Sequence, residues 1–377
     1  MSRFKVVLFT GNYNHIRDGV SLTLNRLVRF LLDHDVDVRV FGPTIDEPAL
    51  DHEGTFIAVP SLSLPGRPEY RMSTSLSSEA KRHLRDFKPD LVHIATPDVL
   101  GYKALRWAMD HKIPVVSSYH THFPSYLKYY KLSVLEPLLW KYLNWFYSHC
   151  EQLYVPTQSM AEWLQEQGVQ TDLKIWARGI ETDRFGPSKR DEAWRESHGI
   201  NPGEVVITFI SRLVWEKNLE LYADVVKMIQ QKHDHVKALV VGEGPAGEGL
   251  KQMLPDAVYT GFLTGEDLSK AYASSDVFFF PSDTETFGNV TLEAMASGLP
   301  CVVADAVGSK SLVDHEENGY LAPVDKTDLF YSYIEKLVLN PDLRKKMADA
   351  SLQKAKKYSW QNINGNLLSY YEQVLGL

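Results

Sequence analysis

Short apolar runs rich in valine, isoleucine, phenylalanine and tyrosine recur along this chain with amphipathic stretches between them, and that alternation restricts its fold most. A first series comprises KVVLF (5–9), VDVRVFG (36–42), DLVHIA (90–95), IPVVSSY (113–119) and QLYVP (152–156). A second comprises VVITFIS (205–211), KALVVGEG (237–244), AVYTG (257–261), DVFFFPS (276–282) and LPCVVAD (299–305). Runs of this kind read as buried strands, and helical stretches between them make each connection a crossover, so each series predicts a parallel sheet of β-α-β units. Between the two lies WARGIETDRFGPSKRDEAWRESHGINPGE (176–204), whose turn residues and charge runs cannot fill a core. A length of 377 residues also exceeds the roughly 250–300 at which single cores stop growing. The expectation is an α/β protein of two doubly wound, Rossmann-like domains, residues 1–185 and 186–358, facing each other across a cleft at the carboxyl ends of their strands. The final stretch, YSWQNINGNLLSYYEQVLGL (358–377), reads as an amphipathic helix.

Composition excludes several classes. The 44% apolar and 23% charged fractions are those of a globular protein, and no run approaches the roughly 20 apolar residues of a membrane-spanning helix. The start, MSRFKVVLFTG, turns polar after a short apolar run, which reads as a buried strand and no signal peptide, so a cytoplasmic protein is expected. Cys150 and Cys301 stand far apart without histidines at ligand spacing, which suggests neither a zinc site nor a disulfide framework. A net charge of −8 argues against nucleic acid as a partner, since phosphate backbones call for a basic surface.

The most informative stretch is DVFFFPSDTETFGNVTLEAMASGLPCVVAD (276–305). A strand ends at Ser282, a loop carries Glu285, and Asn289 can cap a helix running through Glu293 to Gly298. Backbone N–H groups around Asn289, Val290 and Thr291 then leave a positive helix terminus suited to phosphate. Glu293, further inside, can accept hydrogen bonds from ribose hydroxyls, although taken alone it is equally a first-turn carboxylate. In FISRLVWEKNLELYADVV (209–226), Arg212 and Lys217 follow a buried strand and precede a helix, where two cations can neutralise a departing diphosphate; the plain alternative is a pair of solvated surface charges.

Other segments are less specific. Gly19 opens a helix after the first strand and allows close backbone approach, without the Gly-x-Gly-x-x-Gly pattern of dinucleotide sites. In SYHTHFPSYLKYY (118–130), His120 and His122 follow a strand; no third ligand or Asp-x-Asp motif accompanies them, so His120 reads as a sugar contact or a structural hydrogen-bonding group and His122 as structural. LSVLEPLLWKYLNWFYSH (132–149), flanked by Lys128, Lys131 and Lys141, is either a core helix of the first domain or an interfacial helix touching anionic lipid. LPGRPEYR (64–71) reads as a loop with two arginines that could join such a contact.

Together these segments resemble the family-4 retaining glycosyltransferases of the GT-B fold over nearly the whole chain, most specifically in Glu285 and Glu293 within ETFGNVTLEAMASGLP. The resemblance implies that Glu285 contacts the transferred sugar and Glu293 the ribose, with Phe287, Gly288, Asn289, Val290 and Thr291 around the phosphate. It matches Arg212 and Lys217 to the diphosphate-binding pair, Gly19 to the N-terminal glycine loop and His120 to a histidine near the reacting carbon. It also implies that backbone groups at Gly261, Phe262 and Leu263 read the base, that helix 359–377 crosses back onto the first domain, and that no metal or other cofactor takes part.

SYHTHFPSYLKYY and the aromatic helix after it look like those of lipid-directed members, the sulfoquinovosyl, mannosyl and glucosyl glycolipid synthases. That implies a UDP- or GDP-hexose donor, a membrane-lipid acceptor and a peripheral position on the inner face of the cell membrane. Two departures bear on the acceptor: VGSKSLV (307–313) carries Ser309 and Lys310 where paired glycines are usual, and Asp18-Gly19 replaces two glycines. A transferase to a soluble sugar, a sugar-nucleotide epimerase and a non-catalytic sugar-nucleotide binder remain the alternatives.

Overall fold

The computed structural model describes residues 2–16, 18–64, 67–120, 133–285 and 287–377, without the side chains at 64, 67–69 and 133. His122, Lys128 and Lys131 fall outside the described residues. Contacts divide the chain into two units, Met1–Ala177 with Gln361–Leu377, and Arg178–Trp360.

In the first unit the apolar runs become β1 (Lys5–Phe9), β2 (Asp37–Gly42), β6 (Leu91–Ile94), β7 (Val115–Ser118) and β8 (Gln152–Val155), joined by β3 (Thr55–Ala58) and β9 (Asp172–Ile175). All pair in parallel, in the order β3-β2-β1-β6-β7-β8-β9. The chain builds outward from β1 in one direction and returns to build from β6 in the other, so the β1/β6 junction is a topological switch point. Val7, Phe9, Val92, Ile94, Leu153 and Val155 meet Leu100, Leu105, Phe146 and Leu164 from the crossover helices. The segment expected as a loop at 64–71 instead contributes to an antiparallel hairpin, β4 (Ser61–Leu64) with β5 (Arg67–Ser73). There Arg71 Nε donates to Ser61 Oγ at 2.9 Å, and Nη2 to Ser61 O at 3.2 Å, so its guanidinium is folded onto the partner strand.

The final helix, Trp360–Leu375, returns to this unit. It buries Ile363, Leu367, Leu368 and Tyr371, and Glu372 pairs with Arg3 near the first strand.

The second unit is built from β10 (Val205–Ile210), β11 (Val236–Val241), β12 (Val258–Gly261), β13 (Val277–Phe280), β14 (Cys301–Ala304) and β15 (Gly319–Ala322). These are again parallel, in the order β12-β11-β10-β13-β14-β15. Its switch point lies between β10 and β13. Residues 178–185, grouped with the first domain on sequence, belong here by contact: Ile180 N–H donates to Tyr358 O at 2.7 Å, and Phe185 meets Tyr272 edge-on at 5.7 Å. The polar crossing segment also fills core after all. Arg195 is 2% exposed; it donates to Ser274 O at 2.7 Å and Glu204 O at 2.6 Å, and lies 3.3 Å from Asp276 Oδ2. A buried arginine is tolerated because two carbonyls and a carboxylate replace its water.

Candidate functional site

In the second unit the candidate residues gather where β10 and β13 end, on either side of the switch point. After β10 the chain turns through Ser211 to Leu213 against the loop that follows β11. A Cβ on Gly242 would sit 1.9 Å from Ser211 O and one on Gly244 2.2 Å from Leu213 O, so only glycine lets these loops touch. Arg212 is left exposed at this turn. A single turn at Trp215–Lys217 then brings Lys217 back towards β13. Asn218, in the left-handed region with φ 56°, fixes that return by donating through Nδ2 to Pro281 O at 2.8 Å.

Lys217 Nζ ion-pairs with Glu285 and donates to Thr284 Oγ1 at 3.0 Å. Glu285 is further held by the buried Ser282, whose Oγ donates to Oε1 at 3.4 Å. Behind it, a Cβ on Gly308 would come within 2.6 Å of Glu285 O. Val307–Lys310 is therefore a short helix pressed against the Glu285 backbone, and Lys310 is drawn aside to Asp305 at 3.1 Å.

The helix after Glu285 runs Asn289–Ala296. The sequence suggested Asn289 as its cap, but the capping position belongs to Gly288 at φ 93°, and Asn289 is the first helical residue. No side chain accepts from the first turn, so the N–H groups at Asn289, Val290 and Thr291 keep the orphan donors of an uncapped terminus. Thr291 Oγ1 is buried there without a hydrogen-bond partner. Phe287 is 4% exposed against Tyr358 and closes the loop from behind.

Glu293 stands in the second turn of this helix and accepts from Tyr272 Oη at 2.9 Å. Burial is the main cause that pushes its carboxyl up to about 7, with the Tyr272 hydroxyl and the Arg184 charge pulling it down and the Glu181 charge pushing it up. Tyr272 was invisible to sequence reasoning; its position in a helix ending beside β13 gives no hint of the contact. At the end of β12, Gly261 takes φ 74°, Phe262 is 70% exposed, Leu263 is half-buried, and Phe262 N–H reaches Glu243 Oε1 at 3.4 Å. The segment expected to read the base thus lies at the carboxyl end of the same sheet.

In the first unit, Gly19 opens the helix Gly19–Asp33. Here the terminus is filled: Asp18 Oδ1 accepts from Val20 N at 3.0 Å and Ser21 N at 2.8 Å, and Ser21 Oγ accepts from Asp18 N at 2.9 Å. A phosphate at this turn would meet a carboxylate, so what Gly19 offers is close approach without spare amides. His120 follows β7, with its Nε2 2.9 Å from Ser118 Oγ and its ring edge-on to Trp176 at 5.0 Å. Asp98 caps the helix Val99–His111 through Gly101 N at 2.8 Å, and burial raises its carboxyl to about 6. The aromatic segment forms the helix Glu136–Tyr147, which buries Leu143, Phe146 and Tyr147, with Trp140 packed on Trp163. Its leading turn leaves Val134 86%, Leu135 43% and Leu138 65% exposed.

Among the described residues no group of His, Cys, Asp or Glu is arranged to hold a metal, and no helix is long and apolar enough to cross a membrane.

Two glycosyltransferase models account for most of the chain: that of Glycosyltransferase Family 4 matches residues 17–184, and that of glycosyl transferases group 1 matches residues 190–354. The GDP-mannose-dependent alpha-mannosyltransferase of Mycobacterium tuberculosis is 31% identical over 371 residues, spanning 95% of this chain and 94% of that one. The alpha-monoglucosyldiacylglycerol synthase of Streptococcus pneumoniae is 26% identical over 355 residues, spanning 90% and 79%. Among solved structures, sucrose-phosphate synthase from Thermosynechococcus elongatus superposes with a TM-score of 0.73 at 18% identity, over 99% of this chain and all of that one, and shares the fold. Two parallel Rossmann-like sheets, family models over both halves and a relative matched nearly end to end agree: the chain belongs to the family-4 glycosyltransferases of the GT-B fold.

Proposed function

We propose that this glycosyltransferase moves a hexose from a UDP- or GDP-sugar to a membrane lipid with retention of the α configuration and without a metal ion. The observation that carries the reading is the uncapped terminus at Asn289–Thr291 beside the Lys217–Glu285 pair, at the same sheet edge as the exposed Arg212. The diphosphate sits on those amides, with Arg212 and Lys217 neutralising the charge that develops as it leaves, which is the largest catalytic contribution of such a site. Glu293 accepts from the ribose hydroxyls, and the backbone at Gly261–Leu263 faces the base. Glu285 holds the hexose, His120 contacts it near the reacting carbon, and Gly19 gives the substrate room. Because Glu285 is already ion-paired, it serves as a hydrogen-bond acceptor for the sugar and not as a nucleophile. The acceptor hydroxyl therefore attacks from the face the diphosphate leaves, the departing phosphate oxygen takes its proton, and configuration is retained. The two cations and the helix terminus supply the positive charge that a metal supplies elsewhere, which supports turnover in the presence of EDTA.

The lipid acceptor rests on two supports. One relative is by name a diacylglycerol glycolipid synthase. Exposed Val134, Leu135 and Leu138 precede exposed Lys141, with Leu138 and Lys141 three residues apart on one helix face, a pattern that suits an anionic bilayer surface. Incubation of GDP- and UDP-hexoses with lipid extract, with mass and anomeric analysis of the product, tests donor, acceptor and stereochemistry together. Leu138→Asp is expected to abolish co-sedimentation with anionic vesicles. Transfer only to a water-soluble sugar, with no vesicle binding, removes the lipid acceptor; conversion of the donor without any acceptor removes the transferase reading.

A further inference from the structure

The proposed contact between His120 and the hexose, on which the following rests, has a buried support that the sequence does not announce. His93 stands in the middle of β6 with no exposed surface. It is ringed edge-on by Tyr154, Trp176 and Tyr371 at centroid distances of 5.6, 5.9 and 5.8 Å. Its Nδ1 lies 2.6 Å from Tyr371 Oη on the final helix, and its Nε2 lies 3.0 Å from Ser118 Oγ. Ser118 Oγ in turn lies 2.9 Å from His120 Nε2. Four groups from three elements, the last helix, β6 and the end of β7, thus form one line of hydrogen bonds that ends on the candidate sugar contact.

We infer that His93 is a positioning residue, which with Tyr371 and Ser118 fixes His120 as the tautomer protonated on Nδ1 and holds its ring in one orientation. The direction of the chain follows from counting protons. Tyr371 is fully buried, and His93 is the hydrogen-bond partner of its hydroxyl among the described residues. A buried O–H left without an acceptor costs about 1–3 kcal/mol, so Tyr371 donates and His93 Nδ1 accepts. Burial holds the His93 imidazole neutral, its pKa lowered to about 3. The single ring proton of His93 is then on Nε2 and is donated to Ser118 Oγ. Among the described residues Ser118 has these two ring nitrogens as the partners of its hydroxyl, so its own proton goes to His120 Nε2. His120 is left with its proton on Nδ1. The reverse direction would leave Tyr371 O–H unpaired. As with histidines whose second nitrogen is fixed by an outer partner, the partner sets both tautomer and ring orientation.

The test separates this inference from the reading it rests on. Long-range proton–nitrogen correlation spectra of the whole protein, with ring-labelled histidine, report which nitrogen carries each proton whatever the activity. In the wild type, His93 is expected protonated on Nε2 and His120 on Nδ1; finding His120 protonated on Nε2 overturns the inference. The double substitution His93→Phe with Tyr371→Phe removes both buried polar partners together and so avoids an orphaned group. It is expected to fold, to leave His120 as a mixture of tautomers and to lower kcat about 10–100-fold, the range seen when the group orienting a functional histidine is lost, with donor KM changed less than threefold. Ser118→Ala is expected to do the same and Ser118→Thr, which keeps the hydroxyl, to restore kcat. A folded double variant with wild-type tautomer and kcat, or equal activity of the alanine and threonine variants, overturns the inference. If His120→Ala keeps full activity, the sugar contact fails while the spectra still decide the tautomer.

Discussion

Glu293→Gln is expected to make the second unit more stable and the enzyme worse at holding its donor. The Glu293 carboxyl sits at about 7, raised from an ordinary 4.5 chiefly by burial. Between those two values the folded state binds more protons than the unfolded one, so stability falls as pH rises across that window and stays lowered above it. At 1.36 kcal/mol per pH unit the offset amounts to about 3 kcal/mol above neutral pH, and water reaching the part-exposed carboxylate reduces it to about 2. Glutamine keeps an oxygen for Tyr272 and carries no charge, so that penalty disappears. One kcal/mol moves the midpoint of a unit this size by about 2–4 °C, which gives a gain of about 4–8 °C at about pH 8 that vanishes near pH 5.

In the proposed donor pose the same substitution removes a charged acceptor from the ribose hydroxyls, an expected loss of about 1.5–3 kcal/mol, or about 10–100-fold in donor KM. The wild-type enzyme should release a proton as donor binds near neutral pH, because hydroxyls bonded to the carboxylate favour its charged form. Thermal unfolding of both proteins from about pH 5 to 8.5, with and without nucleoside diphosphate, checks all three expectations. A variant no more stable than wild type at pH 8, or a gain that does not change with pH, refutes the account of Glu293 as a charge stored at the expense of stability.

Arg212→Ala should lower kcat about 10²–10³-fold, the usual loss of one charge-stabilising donor. Its midpoint should not move, since the side chain is exposed and enters no ion pair among the described residues. Gly308→Ala places a Cβ 2.6 Å from Glu285 O; the Glu285 loop must shift, costing about 1–3 kcal/mol of stability and, by steady-state kinetics, at least about tenfold in kcat given how sensitive transfer is to misplaced groups. Arg195→Met leaves Asp276 and two carbonyls without their buried donor, and chemical denaturation should show a loss of about 3 kcal/mol with near-wild-type turnover while the protein stays folded.

The fold was legible where strands are buried on both faces and obscure where they are not. β1, β6, β7, β8, β10, β13 and β14 are buried almost throughout, so each carries apolar residues facing both ways, interrupted only by single polar positions or short polar ends such as His93, Thr208 and Ser117–Ser118. Besides the β4–β5 hairpin, the strands that sequence reasoning missed, β3, β9 and β15, all stand at edges of the two parallel sheets, where only β12 was read correctly. Asp172–Ile175 has no fully buried residue, and Thr55–Ala58 has one, so neither carries the apolar signal. β15 begins with Gly319, a poor strand former, present because a Cβ there would fall 2.0 Å from Cys301 O. Arg195 shows the opposite error. A charged helix reads as surface, and only Ser274, Glu204 and Asp276, brought to it by the fold, make its burial tolerable.

The candidate site residues could be proposed by the same logic, because Arg212, Glu285 and His120 each follow a recognisable buried strand, and the carboxyl ends of parallel strands are where such sheets bind ligands. The contacts that hold them were not: Tyr371 is 278 positions from its partner His93, and Lys217, itself singled out, is 68 from its partner Glu285. What separates the two helix termini is the residue at the cap. One helix follows β1 and the other β13, each a strand of a switch pair, so by position the first-turn amides of either could meet an anion. Asp18 precedes one, and its carboxylate already takes the first-turn amides; Gly288 precedes the other, has no side chain to offer, and leaves them open. A capping side chain and a bound phosphate compete for the same N–H groups. The residue at the cap therefore separates a terminus whose amides are already taken from one whose amides stay open, and glycine before Asn289 makes the second unit's helix the one proposed to hold the diphosphate.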